Sequence, residues 1–166
     1  MWLAGNIPST GPLEQELRSL FFVDDNLVAD PEAAKELMRA LVPLRIRWVS
    51  QVSVDHARDP EMLRLMVESG CLGNVIGFES LDPENLQRMH KATNLRGFDA
   101  YKDEVAALRA HHLQTWAAFL VGYEHETRES IAATCDWAIA QRFTFSAFNV
   151  LMPYPSTPLY ARLKEE

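Results

Sequence analysis

The chain has 166 residues, of which 48% are hydrophobic and 23% charged, and its formal net charge is −7. This composition predicts one globular domain, residues 1–166, with a core that needs no disulfide or metal to stabilise it. An acidic chain is a poor general binder of nucleic acid or anionic membranes, and no apolar run approaches the ~20 residues of a membrane span. We therefore expect a cytoplasmic protein whose substrate is a small molecule that the sequence does not name.

Apolar segments alternate with helical ones along the chain. We expect a loop over residues 1–11, a short helix over 12–20, and then five strand–helix units. The predicted strands are 20–23, 45–54, a third that ends at Glu79 and Ser80, 115–121 and 144–151. The helices that follow them begin at Asp30-Pro31, Asp59-Pro60, Asp82-Pro83, Phe98, Thr127 and Leu159. Because buried strands joined by helical crossovers pair in parallel, the fold class is α/β with a parallel sheet.

Polar residues follow or end each predicted strand. In a parallel α/β sheet the carboxyl ends of the strands lie along one edge, and ligands bind at that edge. The alternatives to a ligand-binding role are simpler. Residues 24–26 would form a turn and helix cap, and residues 79–80 an ordinary strand–turn–helix junction. The polar residues are Asp24 and Asp25, Ser53 and Asp55, Glu79 and Ser80, Tyr123 and Glu124 after Gly122, and Asn149.

The cysteines and histidines do not have the spacing of a metal site. Cys71 and Cys135 are the chain's two cysteines, and both lie among apolar residues, so we expect buried free thiols. The five histidines are scattered and favour helix-end or solvated roles. One alternative remains, in which Asp24, Asp25, Asp55 and Glu79 converge on a divalent ion as the centre of a carboxylate enzyme.

Five segments together resemble the radical S-adenosylmethionine (radical SAM) enzymes. The closest likeness is to the branch that often carries a cobalamin-binding domain ahead of its barrel. These segments keep the family's order and cover nearly everything after Leu20. They are FFVDDN (21–26), IRWVSQVSVDHARDPEMLRLMVESGC (46–71), IGFESLDPENLQRMHKATN (76–94), FLVGYEHETRESI (119–131) and NVLMPYPSTPLYARL (149–163).

The resemblance implies a partial TIM-type barrel of (βα) units. In the family, a Cys-x-x-x-Cys-x-x-Cys loop after strand 1 holds a [4Fe–4S] cluster, which cleaves S-adenosylmethionine to a 5′-deoxyadenosyl radical. This chain lacks the cysteine triplet, and its five strands match family strands 2–6. We therefore expect a truncated, C-terminal part of the barrel that is inactive alone, with cobalamin a cofactor of full-length relatives.

The resemblance also implies roles for five residues toward S-adenosylmethionine. Asp24 and Asp25 would face the methionyl amino group, and Glu79 and Ser80 the ribose or the methionyl group. Gly122 would let the adenine approach the backbone. Ser156 occupies a turn position where the family often has glycine, so the resemblance does not fix the local backbone geometry there.

A non-catalytic interaction module is the second hypothesis. Without a strand before it, the segment from Leu20 to Val23 has an unpaired edge, and an exposed strand edge favours association. We expect a homo-oligomer or a partner that covers this edge.

Overall fold

The computed structural model describes residues 19–91, 94–95, 98–123 and 126–165. The loop expected over 1–11 and most of the helix expected over 12–20 lie outside the described residues. The helix prediction was wrong at its end, because Ser19 and Leu20 belong to the first strand. Their backbone pairs with the neighbouring strand at Arg47 and Trp48.

Five parallel strands form one sheet, in the order in which they occur along the chain. All four neighbouring pairs are parallel, which confirms the predicted α/β architecture. The strands are β1 (Ser19–Phe22), β2 (Arg47–Val52), β3 (Cys71–Glu79), β4 (Gln114–Val121) and β5 (Phe145–Val150).

Six described α-helices follow the strands or connect them. The helices are α1 (Pro31–Leu41), α2 (Pro60–Glu68), α3 (Pro83–Arg88), α4 (Phe98–Ala110), α5 (Arg128–Gln141) and α6 (Pro158–Glu165). A 3₁₀ turn at Val42–Leu44 connects α1 to β2, and a second at Val54–Arg58 connects β2 to α2.

Side-chain caps begin four of these helices. Asp30, Asp59 and Asp82 each accept hydrogen bonds from backbone N–H groups in the first turn, and proline follows each of them. At α5, Thr127 and Ser130 form a reciprocal capping box. All four helix starts agree with the sequence prediction, because capping depends on residues within one turn of each other.

The core lies between β3 and β4 and the helices that cover them. Phe78 of β3 is fully buried and its ring contacts Tyr101 of α4, Phe119 of β4 and Trp137 of α5. Trp48 of β2 is also fully buried, and its indole N–H donates to the Ser69 carbonyl at 3.1 Å. This packing fixes the central strands relative to the helices that cover them.

Both outer strands of the sheet expose apolar side chains. Leu20 and Phe21 of β1 and the adjacent Val23 are exposed, as are Phe145 and Val150 of β5. Among the described residues, no strand pairs with the outer edge of β1. A partner over this edge remains a prediction. In the same part of the chain, no helix is long and apolar enough to cross a membrane.

Candidate functional site

A cleft of about 350 Å³ opens at the carboxyl ends of the first four strands. Its volume lies at the lower end of the roughly 300–1,000 Å³ of small-molecule sites. Its walls include Val52, Val75 and Ala118, and its polar groups come from four separate segments. The polar groups are Asp25 and Asn26 after β1, Gln51 and Ser53 at β2, Glu79 at β3, and Lys91 and Asn94 after α3.

One wall of the cleft is built by a reciprocal contact between the ends of β1 and β2. The Asn26 amide donates to the Ser53 hydroxyl at 3.2 Å, and the Ser53 backbone N–H donates to Asn26 Oδ1 at 3.0 Å. The Leu27 N–H donates to the Gln51 carbonyl at 3.0 Å. These bonds hold the segment that carries Asp25 against the second strand.

His56 binds the backbone of Ser53, which belongs to the same wall. Its Nδ1 lies 2.5 Å from the Ser53 carbonyl oxygen, so the ring donates to that oxygen. Burial lowers the pKa of His56 below its usual value and outweighs the opposing effects of the Ser53 carbonyl and Asp55. The imidazole is therefore neutral at pH 7 and acts as a structural donor.

Glu79 enters the cleft through an unusual backbone conformation at the end of β3. Its φ is +65°, and the pairing with β4 shifts register between Gly77 and Glu79. The carboxylate folds back over Gly77, where an added Cβ would lie 2.6 Å from Oε1. Left-handed non-glycine residues of this kind are concentrated at functional sites.

Lys91 completes an ion pair inside the cleft. Its Nζ lies 3.0 Å from Glu79 Oε1, with 48% of the lysine side chain and 22% of the glutamate side chain exposed. The pair places a positive and a negative group next to each other on one wall. This arrangement suits a ligand that itself carries both charges.

The structure brings together two of the five residues that the sequence predicted for this site. Asp25 and Glu79 line the cleft, whereas Asp24 is exposed outside its lining. Ser80 is only 4% exposed, its hydroxyl accepts from the Asp82 N–H at 3.1 Å, and it lines a separate hollow beside α5. The ligand contacts assigned to all five remain predictions.

Gly122 also lies outside the cleft lining. Its φ of +98° is a conformation that side chains rarely adopt, and its N–H donates to the Glu126 carboxylate. The Tyr123 N–H donates to the same carboxylate at 3.1 Å. The Glu126 carboxylate therefore binds the backbone of both Gly122 and Tyr123.

Sequence reasoning did not assign Lys91 or Asn94 to this site. Both lie within the segment 76–94 that carried part of the family resemblance. That match was the available signal, because neither residue follows a strand. Their long distance along the chain from Glu79 concealed the contact.

The cysteines do not fit a [4Fe–4S] cluster. Cys71 is the first residue of β3, at the opposite end of the strand from the cleft. Burial raises the pKa of its thiol to about 12. Cys135 lies on α5, and the sequence contains no third cysteine. Among the described residues, no three His, Cys, Asp or Glu side chains are grouped as a metal site. Of the four carboxylates in the divalent-ion alternative, Asp25 and Glu79 line the cleft.

A solved structure shares this architecture, although no family model matches the chain. The methyltransferase TsrM from Kitasatospora setae, a radical SAM enzyme solved with cobalamin and a [4Fe–4S] cluster bound, superposes with a TM-score of 0.76 at 23% identity. The match covers 92% of this chain and 31% of that one. Over the matched residues, this chain has the fold of that enzyme. The resemblance inferred from the sequence is thereby confirmed.

Two curated relatives of this chain are a methyltransferase and a methylase by name. Bacteriochlorophyllide d C-12(1)-methyltransferase of Chlorobaculum tepidum is 33% identical over 145 residues, which are 87% of this chain and 31% of that protein. Hopanoid C-2 methylase of Rhodopseudomonas palustris is 26% identical over 154 residues, 89% of this chain and 29% of that protein. The chain thus spans less than a third of the length of either relative.

Proposed function

We propose that this chain provides S-adenosylmethionine-binding residues of a radical SAM methyltransferase and has no radical activity alone. The observation that carries this proposal is the Glu79–Lys91 ion pair, which lies over Gly77 in the cleft. The cleft opens at the carboxyl ends of parallel strands, where ligands bind in barrel folds. The curated relatives support methyl transfer as the reaction class.

The chemistry of S-adenosylmethionine fits the cleft. Its methionyl end carries an ammonium and a carboxylate, which pair with a carboxylate and an ammonium respectively. Glu79 and Asp25 suit the ligand ammonium, and Lys91 suits the ligand carboxylate. The Gln51 amide offers a donor and an acceptor to ribose hydroxyls.

The cluster and cobalamin have no proposed ligands in this chain. We propose that the assembled enzyme uses S-adenosylmethionine, a [4Fe–4S] cluster and cobalamin, as the structure of TsrM with cobalamin and the cluster suggests. Of the three, only S-adenosylmethionine is assigned to residues described above. The methyl acceptor remains an unknown small molecule.

Calorimetric titration with S-adenosylmethionine tests the proposal. We expect the chain to bind the ligand and the Glu79→Gln variant to bind it about tenfold more weakly, because one charge-assisted contact is lost. Glu68→Gln is the matched control: Glu68 pairs with Arg64 at 2.7 Å on α2, outside the cleft. No binding, or equal affinities for the Glu79 variant and the wild type, would contradict the proposal.

Association through the outer edge of β1, with which no described strand pairs, is a second candidate function. The exposed side chains of Leu20, Phe21 and Val23 beside β1 favour it. We expect self-association in sedimentation at micromolar concentration and a monomer for Phe21→Lys. Val67→Lys, at an exposed position on α2, should keep the wild-type behaviour. A wild-type chain that sediments as a single monomeric species would refute self-association.

A further inference from the structure

The end of β3 contains a bulge, at which the register with β4 shifts between Gly77 and Glu79. Gly77 pairs with Ala118 and Glu79 pairs with Phe119, which are consecutive residues of β4. Phe78 of β3 therefore has no counterpart on β4 and is the extra residue of the bulge. A bulge changes the direction of the side chain that follows it. Here that side chain is Glu79, at a φ of +65°.

Asn94 binds both carbonyl groups at the bulge. Its Nδ2 donates to the Gly77 oxygen at 2.8 Å and to the Phe78 oxygen at 3.3 Å. These contacts join residues that are 17 and 16 positions apart along the chain. Asn94 is only 7% exposed, so the contacts are shielded from water and strengthened by burial.

Asn94 is itself held from two sides. The Tyr101 hydroxyl of α4 donates to the Asn94 carbonyl at 2.6 Å, and the Asn94 N–H donates to the Lys91 carbonyl at 2.9 Å. The same residue therefore fixes the segment that carries Lys91 and the strand end that carries Glu79. The Asn94 side chain thus binds the strand end that carries Glu79, whereas its backbone N–H binds Lys91.

We infer that Asn94 is a positioning residue, which holds Glu79 in its left-handed conformation beside Lys91. This inference rests on the proposed function, since it assigns the consequence to S-adenosylmethionine binding. Asn94 acts through Glu79 and does not itself hold the ligand. Gly77 completes the arrangement, because its missing side chain leaves room for the Glu79 carboxylate.

The isosteric variant Asn94→Asp isolates the donor function. An ionised aspartate keeps the size of asparagine and has no N–H group for the two carbonyls. We expect amide hydrogen exchange at Ser80, whose N–H donates to the Phe78 carbonyl at 2.8 Å, to accelerate about tenfold or more. Asn149→Asp is the matched control, because Asn149 donates to the Phe119 carbonyl at 3.4 Å outside the cleft. Unchanged exchange at Ser80 in Asn94→Asp would overturn the inference.

A double-mutant cycle then separates positioning from direct contact. We expect Asn94→Ala to weaken S-adenosylmethionine binding about tenfold, and Asn94→Ala combined with Glu79→Gln to lie within about twofold of Glu79→Gln alone. Additive losses would mean that Asn94 contacts the ligand independently and would overturn the positioning role. If the wild-type chain does not bind S-adenosylmethionine, the proposed function fails, and the exchange experiment still decides whether Asn94 holds Glu79.

Discussion

Replacing Phe78 by alanine is expected to lower the free energy of unfolding by about 3–5 kcal/mol. The ring is 0% exposed and has four aromatic neighbours with centroids 5.1–5.8 Å away. Removing it leaves a cavity at the contact between β3, β4, α4 and α5. The surrounding rings cannot close such a cavity without leaving their own packing positions.

Urea denaturation of the variant and the wild type measures this loss. Phe145→Ala is the control, since Phe145 of β5 is 61% exposed and its truncation should change the unfolding free energy by less than about 1 kcal/mol. Similar losses at the two positions would mean that the aromatic group around Phe78 does not form the core. The result is independent of any ligand.

Anaerobic reconstitution with iron and sulfide is expected to produce no [4Fe–4S] cluster on this chain. A cluster with one iron left open for S-adenosylmethionine needs three thiolates, and the sequence contains two cysteines. Burial raises the pKa of the Cys71 thiol to about 12, so this sulfur stays protonated at neutral pH. Cys135 lies on α5, whereas Cys71 is at the start of β3.

The visible absorption spectrum and the iron content after desalting report the outcome. A variant with both Cys71→Ser and Cys135→Ser should give the same background as the wild type, because neither thiol is expected to bind iron. A stable cluster spectrum in the wild type that disappears in the double variant would show that the chain binds a cluster after all.

Local patterns predicted most of the fold correctly. The Asp-Pro pairs at 30–31, 59–60 and 82–83 mark three helix starts, because a cap and its N–H partners lie within one turn. The apolar strand segments separated by helices also predict a parallel sheet whose carboxyl ends share one edge. The side of the sheet at which the cleft opens therefore follows from the chain order.

Local patterns did not predict which residues line the cleft. Glu79 and Ser80 are neighbours in the sequence, yet the first faces the cleft and the second binds the turn at Asp82. The bulge at Phe78 and the positive φ of Glu79 depart from regular strand geometry at this point. Strand periodicity does not indicate them, and the Asn94 side chain that binds the Gly77 and Phe78 carbonyls comes from 17 and 16 positions away.

The sequence by itself determined the α/β class, the helix starts, the radical SAM resemblance and the lack of three cluster cysteines. These properties depend on residue identity and on contacts within a few positions. Only the tertiary structure decided that Lys91 and Asn94 join Glu79, while Ser80 and Gly122 lie outside the cleft lining. The physical reason is that hydrogen bonds between distant segments, unlike a helix cap, leave no periodic pattern in the chain.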